Sequence, residues 1–307
     1  MKILLFGKDG QVGWELQRAL APLGELIALG EQQADFENLE HIRQLVRQIQ
    51  PDVIVNAAAY TAVDKAQAEP EKARRINAEA VGVLGEEAHR LNAWLVHYST
   101  DYVYDGEKTS PYTEDDPPRP LSVYGKTKLE GDQLIVKSGA KHLIFRTSWV
   151  YAARGANFAK TMLRLAQERD ELQVIADQHG APTSAELIAD VTALALYRIG
   201  QKNIGQPENS AAAFSGTYNL VASGDTTWHG YAQHVLELAQ AHGIKLKVLP
   251  AAVVPIASEA YPLPAVRPKN SRMNTTKLSN TFNLHLPHWH YHVQRLVDEL
   301  IPFLNQR

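Results

Sequence analysis

Residues 2–13 read KILLFGKDGQVG, and the fold follows from how that stretch divides. Lys2–Phe6 is apolar at every position after the first, without alternation, as in a strand covered on both faces. Gly7, Gly10 and Gly13 then recur every third residue, while Val12, Leu16, Leu20 and Leu23 take up helical spacing. A tight strand-to-helix turn uses glycine because a side chain would block the approach of backbone to a phosphate. The free N–H groups of the helix then face the anion. The reading is a dinucleotide site formed by Gly7, Lys8, Gly10, Gln11, Val12 and Gly13, with a ligand-free glycine turn as the alternative.

The same rhythm continues outward. Residues 27–29 and 53–55 are further apolar runs, separated by Leu39, Ile42, Leu45, Val46 and Ile49 at helical spacing. Residues 69–89 read as one Ala/Glu-rich helix before a strand at 94–98, and 122–136 as a helix before a strand at 142–145. Continuous apolar strands interleaved with helices predict an α/β fold with a Rossmann-like, doubly wound parallel sheet. After about residue 148 the rhythm weakens. Helices are expected at 158–167, 186–197 and 231–241, a loop over 199–214, a short strand at 218–221 and an apolar run at 247–252. Trp289, Val293, Leu296, Val297, Leu300, Ile301 and Leu304 form the stripe of a last helix. Two domains are expected: residues 1–147 for the dinucleotide, and 148–307 mainly a smaller C-terminal α/β substrate-binding lobe, some of whose elements return to the first domain.

Composition narrows the function. The 307 residues carry 31 Lys+Arg against 34 Asp+Glu, a net charge of −3, and no cysteine. The missing cysteines exclude disulfides, thiolate metal sites and a Cys nucleophile. The near-neutral balance argues against a nucleic-acid surface. No run approaches the about 18 apolar residues of a spanning helix, and residues 3–6 are too short for a signal segment. No membrane partner and a cytoplasmic location are therefore expected.

The chemistry centres on VYGKTKLE, where Tyr124 and Lys128 lie one helical turn apart. A phenol has a pKa of about 10, and a neighbouring cation is expected to lower it enough for proton exchange at neutral pH. Lys128 is also placed to hold the nicotinamide ribose, and Ser99-Thr100, at a strand end, offers a hydroxyl to orient a carbonyl. An exposed Tyr/Lys pair is the bland alternative. Asn56, Ala57, Ala58 and Ala59 end the third strand beside the cofactor groove. Glu31, after the second strand, suits ribose hydroxyls and leans toward NADH over NADPH, although Gln32, Gln33 and Lys8 would tolerate a phosphate. Asp35 and Phe36 are expected to bracket the adenine ring.

Longer stretches are more specific: ILLFGKDGQVGWEL, PDVIVNAAAYTAVDKAQAEP, VHYSTDYVYDG, YGKTKLEGD, RTSWVYAARGANFAKTM, DQHGAPTSAELIAD, YNLVASGDTTWHGYA and RPKNSRMNTTKL run nearly end to end. On these the chain resembles the extended short-chain dehydrogenase/reductase superfamily and, within it, the dTDP-4-dehydrorhamnose reductase family. The resemblance implies reduction of a 4-keto nucleotide sugar, dTDP-4-dehydro-L-rhamnose, at C4 by NADPH or NADH in carbohydrate biosynthesis. It implies Thr100, Tyr124 and Lys128 as catalytic residues, with Tyr124 the proton donor. It also implies substrate contacts at Thr61, Val63, Thr100, Asp101, Tyr102 and Trp149, with Arg267 recognising the diphosphate.

Two positions depart from the family. Gly30 stands where the family often has aspartate. Some members form a homodimer linked by Mg²⁺ through glutamates; Glu15 and Glu186 match two of these, but the third position holds His290. Mg²⁺ prefers oxygen ligands, so His290 counts against the bridge, while a homodimer stays open. His288, His290 and His292 are read as solvated histidines at a helix start, the other reading being a transition-metal site. Two rival functions remain: an epimerase or dehydratase with retained NAD, and a non-catalytic dinucleotide-binding subunit. Dehydration is disfavoured because tyrosine rather than glutamate follows Asp101.

Overall fold

A computed structural model describes residues 1–202 and 213–304. Its apolar runs become six strands: β1 Lys2–Phe6, β2 Glu25–Leu29, β3 Val53–Asn56, β4 Trp94–Thr100, β5 Lys141–Thr147 and β6 Gly216–Asn219. All pair in parallel, in the order β2-β1-β3-β4-β5-β6. Leu5 sits opposite Ala28 on one side and Val55 on the other. The chain leaves β1 in one direction to form β2 and then crosses back to form β3. The carboxyl ends of β1 and β3 therefore border the crevice where such sheets bind ligands.

Strand side chains alternate between two apolar layers, which is why these strands lack alternating polarity. Leu4, Phe6, Ile54, Leu95 and Ile144 meet one layer. It is built with helices α2 (Leu39–Ile49), α3 (Val63–Ala68), α4 (Pro70–Arg74), α5 (Ala80–Leu91) and α6 (Val123–Ser138) on that side of the chain's path. Ile3, Leu5, Val55, Val96 and Phe145 meet the other layer, with Leu16 and Leu20 of α1 (Gln11–Leu20). That core continues without a break through α7 (Phe158–Glu168), α8 (Ala185–Lys202), α9 (Trp228–Ala241), α10 (Thr276–Phe282) and α11 (Trp289–Leu304). Residues beyond 148 thus supply β6 to the sheet and α8 to the layer against α1. Three short strand pairs complete this half: Val150–Tyr151 with Thr183–Ser184, Gln173–Ile175 with Val254–Ile256, and His179–Gly180 with Thr226–Thr227.

Three expectations need correction. The helix expected over 69–89 is split by a π turn at Arg75–Glu79. Its cause is Asn77, which turns inward to bond both the N–H and the carbonyl of Tyr60, at 2.8 and 3.0 Å, and also the Thr127 hydroxyl. Residues 199–202, expected as loop, continue α8, while 203–212 lie outside the described residues. The apolar run at 247–252 forms only a 3₁₀ turn, Pro250–Ala252. Among the described residues, no helix is long and apolar enough to cross a membrane.

Candidate active site

The glycine loop closes on the ends of two strands. Gly7 has φ +81°, and a Cβ there would lie 2.6 Å from the backbone of Ala57 and Ala58 at the end of β3. A Cβ on Gly13 would lie 1.9 Å from the Gly7 carbonyl oxygen. The Gly7 and Lys8 amides donate to the Leu29 carbonyl, at 2.9 and 3.2 Å, tying the loop to β2. Gly10 caps α1 without a side chain, so the first-turn N–H groups at Gln11 and Val12 have no side-chain cap and can face an anion. This cradle fits a dinucleotide pyrophosphate. Two residues missed in the sequence cover it: Asn157 donates to the Gln11 amide oxygen at 3.3 Å, and Arg154 reaches the Asp9 carbonyl at 3.4 Å while stacking 4.0 Å above Trp14.

Beyond β2, Glu31 is exposed on a turn in which Gln33 and Ala34 donate to the Gly30 carbonyl. Asp35 is exposed and accepts from the Glu37 amide. Phe36 corrects an expectation: its ring is 5% exposed and packs edge-on against Phe6, 5.4 Å away, so it belongs to the core and not to a free adenine face.

A buried polar chain crosses the ends of β3 and β4. Asn56 accepts from the Ala58 amide at 3.0 Å, which aims its Nδ2 at His97 Nδ1, 3.1 Å away. His97 Nε2 lies 3.0 Å from Lys128 Nζ, which also donates to the Tyr98 carbonyl at 2.7 Å. Burial and the nearby Lys128 hold the His97 pKa far below its ordinary value. Burial likewise lowers Lys128 to about 8, against the opposing pull of Asp132. Asp132, one turn beyond Lys128, accepts from Ser99 at 2.7 Å, and burial raises its pKa. His97 and Asp132 were missed in the sequence, although the steps of four from Tyr124 to Lys128 to Asp132 signalled one helix face.

Thr100 ends β4 and is 4% exposed. The Ser122 hydroxyl caps α6 by accepting from Gly125, which starts the helix so that Tyr124 falls within electrostatic reach of the Thr100 hydroxyl. The expected lowering of the Tyr124 pKa is not found. Burial raises it, and the Lys128 ammonium that was to lower it turns instead to His97 and Tyr98. Tyr102 packs edge-on against Tyr124 at 5.5 Å, and burial raises its pKa too.

On the expected substrate side, Thr61 is exposed and Val63 half-buried at the start of α3. Arg267, expected to recognise the diphosphate, forks onto Asp64, at 2.8 and 3.2 Å, holding that carboxyl below its usual range. Asp101 was expected to touch substrate, yet it is 3% exposed and engaged on both oxygens, by Thr100 at 3.1 Å and Ser271 at 2.5 Å. It orients Thr100 from beneath. Trp149 adopts φ +49°, uncommon for a bulky residue, and stacks on Trp228 at 3.7 Å.

The metal candidates do not assemble. Glu15 pairs with Arg18 at 3.4 Å, Glu186 pairs with Arg295 at 2.7 Å, and the His290 ring stacks on His234 at 4.1 Å. Among the described residues of one chain, no three His, Asp or Glu side chains converge as metal ligands. Of the three histidines read as solvated, His288 and His290 are exposed, but His292 is 7% exposed because it faces into the layer beneath α11.

Comparison with known proteins agrees with this geometry. The family model described as RmlD substrate binding domain matches residues 1–301. A dTDP-4-dehydrorhamnose reductase from Shigella flexneri is 54% identical over 304 residues, covering 98% of each chain. Among solved structures, a dTDP-4-dehydrorhamnose reductase from Clostridium acetobutylicum is 35% identical, with a TM-score of 0.86 over 98% of this chain and 99% of that one. One from Bacillus anthracis, in complex with NADP, is 31% identical, with a TM-score of 0.84 over 97% of this chain and 100% of that one.

Proposed function

The chain belongs to the RmlD substrate binding domain family, and from that membership we propose that it reduces dTDP-4-dehydro-L-rhamnose to dTDP-L-rhamnose with a nicotinamide dinucleotide. The observation that carries the chemistry is the placing of Tyr124 beside Thr100 at the carboxyl end of β4, with Lys128 one turn further along α6. Gly7, Gly10, Gly13 and the open first turn of α1 hold the pyrophosphate. When bound, the reduced nicotinamide supplies the hydride that forms the new C–H bond at C4 of the sugar.

Tyr124 gives its phenolic proton to the C4 oxygen as negative charge develops there, so the carbonyl ends as a hydroxyl. Burial keeps Tyr124 protonated at neutral pH, the state a proton donor must start from. Thr100 has one proton and directs it to Asp101 Oδ1. Its oxygen accepts from the Tyr102 amide, which fixes the hydroxyl beside the phenol.

Lys128 is poised by its neighbours. The Asn56 amide, fixed by Ala58, makes His97 Nδ1 an acceptor and leaves the imidazole proton on Nε2. Two donors cannot share a contact, so the His97–Lys128 hydrogen bond forms with Lys128 as the neutral amine. A pKa of about 8 makes that form accessible.

The test is NAD(P)H oxidation across dTDP- and UDP-4-keto sugars. Stoichiometric oxidation with dTDP-4-dehydro-L-rhamnose is the expected result. Conversion of sugar without net cofactor consumption would instead assign an epimerase or dehydratase that retains NAD.

A further inference from the structure

The side chain that Gly30 lacks has its place filled from the neighbouring loop. An ideal Cβ on Gly30 would lie 2.0 Å from Asp9 Oδ2. The carboxylate of Asp9 therefore occupies the point from which a residue ending β2 would project. Acidic residues at that point in dinucleotide-binding sheets take the adenosine ribose hydroxyls and disfavour a 2′-phosphate.

Two backbone arrangements shape the space that the exposed Asp9 carboxylate occupies. The Gly7 and Lys8 amides both donate to the Leu29 carbonyl, so the loop is fastened to the residue preceding Gly30. Gln33 accepts from the Gly30 amide at 2.9 Å while Gln33 and Ala34 donate to the Gly30 carbonyl, folding the following turn around Gly30. Glu31 is left exposed on that turn, not at the strand end. Lys8 lies on the same spot, its Cε 3.4 Å from the Gly30 Cβ position. A carboxylate and an ammonium side chain thus flank one small space.

We propose that Asp9 is the residue that discriminates between NADH and NADPH, its carboxylate accepting from the adenosine ribose hydroxyls while opposing the charge of a 2′-phosphate. It does so from the first loop, in place of the side chain missing at position 30. Lys8 balances it, so removal of the carboxylate leaves a cation facing the 2′ position. The proposal rests on the reading of this protein as a nicotinamide-dependent reductase.

The test is direct binding of NADH and of NADPH to the purified protein, followed by nicotinamide fluorescence, with kcat/KM for each cofactor alongside. Asp9→Ala is expected to shift the ratio of the two dissociation constants toward NADPH by about tenfold, the scale of one hydrogen bond to a charged group. Glu31→Ala is expected to shift it little. Asp9→Ala combined with Gly30→Asp returns a carboxylate to the same space from β2 and is expected to reverse the shift. An unchanged ratio in Asp9→Ala overturns the proposal, as does a shift confined to Glu31→Ala. Binding is read without sugar, so an inactive protein with normal cofactor binding would refute the reductase reading and leave the Asp9 result standing. Failure of the wild-type protein to bind either cofactor would overturn both.

Discussion

Asp101→Asn is expected to make the protein more stable and slower. Asp101 is 3% exposed, and burial raises its pKa from 3.8 to about 6 even though Ser271, Thr100 and two backbone N–H groups favour the charged form. Between these values the native state binds more protons than the unfolded state, so stability falls as pH rises from about 4 to about 6. At about 1.36 kcal/mol per pH unit the cost at neutral pH is about 3 kcal/mol. An asparagine keeps an acceptor for the Thr100 hydroxyl and can donate to the Ser271 oxygen, so most hydrogen bonds survive. The gain at pH 7 is then about 2 kcal/mol, less than the full cost because one acceptor becomes a donor.

The assay is urea unfolding of both proteins at pH 7 and near pH 4. The gain should be present at the higher pH and nearly absent at the lower, where the wild-type carboxyl is neutral. Catalysis should suffer, because an asparagine oxygen holds the Thr100 proton without the charge of the carboxylate, so the hydroxyl beside Tyr124 is less firmly oriented. A loss in kcat of about tenfold is expected, the scale of one hydrogen bond to a charged group. An Asp101→Asn protein no more stable than wild type at pH 7, or equally favoured at both pH values, would refute the account of a strained carboxylate.

Two further substitutions test the two halves of the crevice. Tyr124→Phe should lower kcat by about 10²–10⁴ with cofactor binding unchanged, as general-acid losses usually do; a near-normal kcat in steady-state assays would remove Tyr124 as the proton donor. Gly13→Ala places a Cβ 1.9 Å from backbone that cannot move aside, so it should cost about 1–3 kcal/mol in denaturant unfolding and weaken NAD(P)H binding. Normal stability together with normal cofactor binding would show that the loop has room to spare.

The sheet was legible because its strands are buried on both faces, which leaves uninterrupted apolar runs such as ILLF and VIV. The glycine loop was legible for a related reason, since close backbone approach leaves only one residue type possible at Gly7 and Gly13. Local spacing likewise placed Tyr124 and Lys128 on one helix face. What the sequence hid were pairings over long separations. Asp64 meets Arg267 across 203 positions and Asp101 meets Ser271 across 170, so a cation expected at the diphosphate carries a carboxylate partner and a carboxylate expected at the ligand is buried. The direction of the Tyr124 pKa was misread because spacing fixes where a lysine starts and not where its four-carbon chain ends. Phe36 was misread for want of its partner Phe6, which lies in β1.

One of these pairings, Asp101 with Ser271, belongs to a larger polar cluster, and the sheet explains where it forms. Strands packed on both faces can carry polar groups only near their ends. Here Asn56, His97, Ser99, Thr100 and Asp101 gather where β3 and β4 finish, each no more than 4% exposed. The helix facing them must then be polar on its inner side, and α6 presents Tyr124, Lys128 and Asp132 there, where an ordinary core helix would present an apolar stripe. Asp132 Oδ1 and Arg146 Nε have no hydrogen-bond partner among the described residues, and Lys128 is buried with a depressed pKa, so this end of the sheet is costly to fold. The two apolar layers on either side offset that cost. A mutation that makes this polar end more apolar should therefore stabilise the fold only where every hydrogen bond at the site is kept or both partners are removed together, as a single deletion leaves a buried group unpaired.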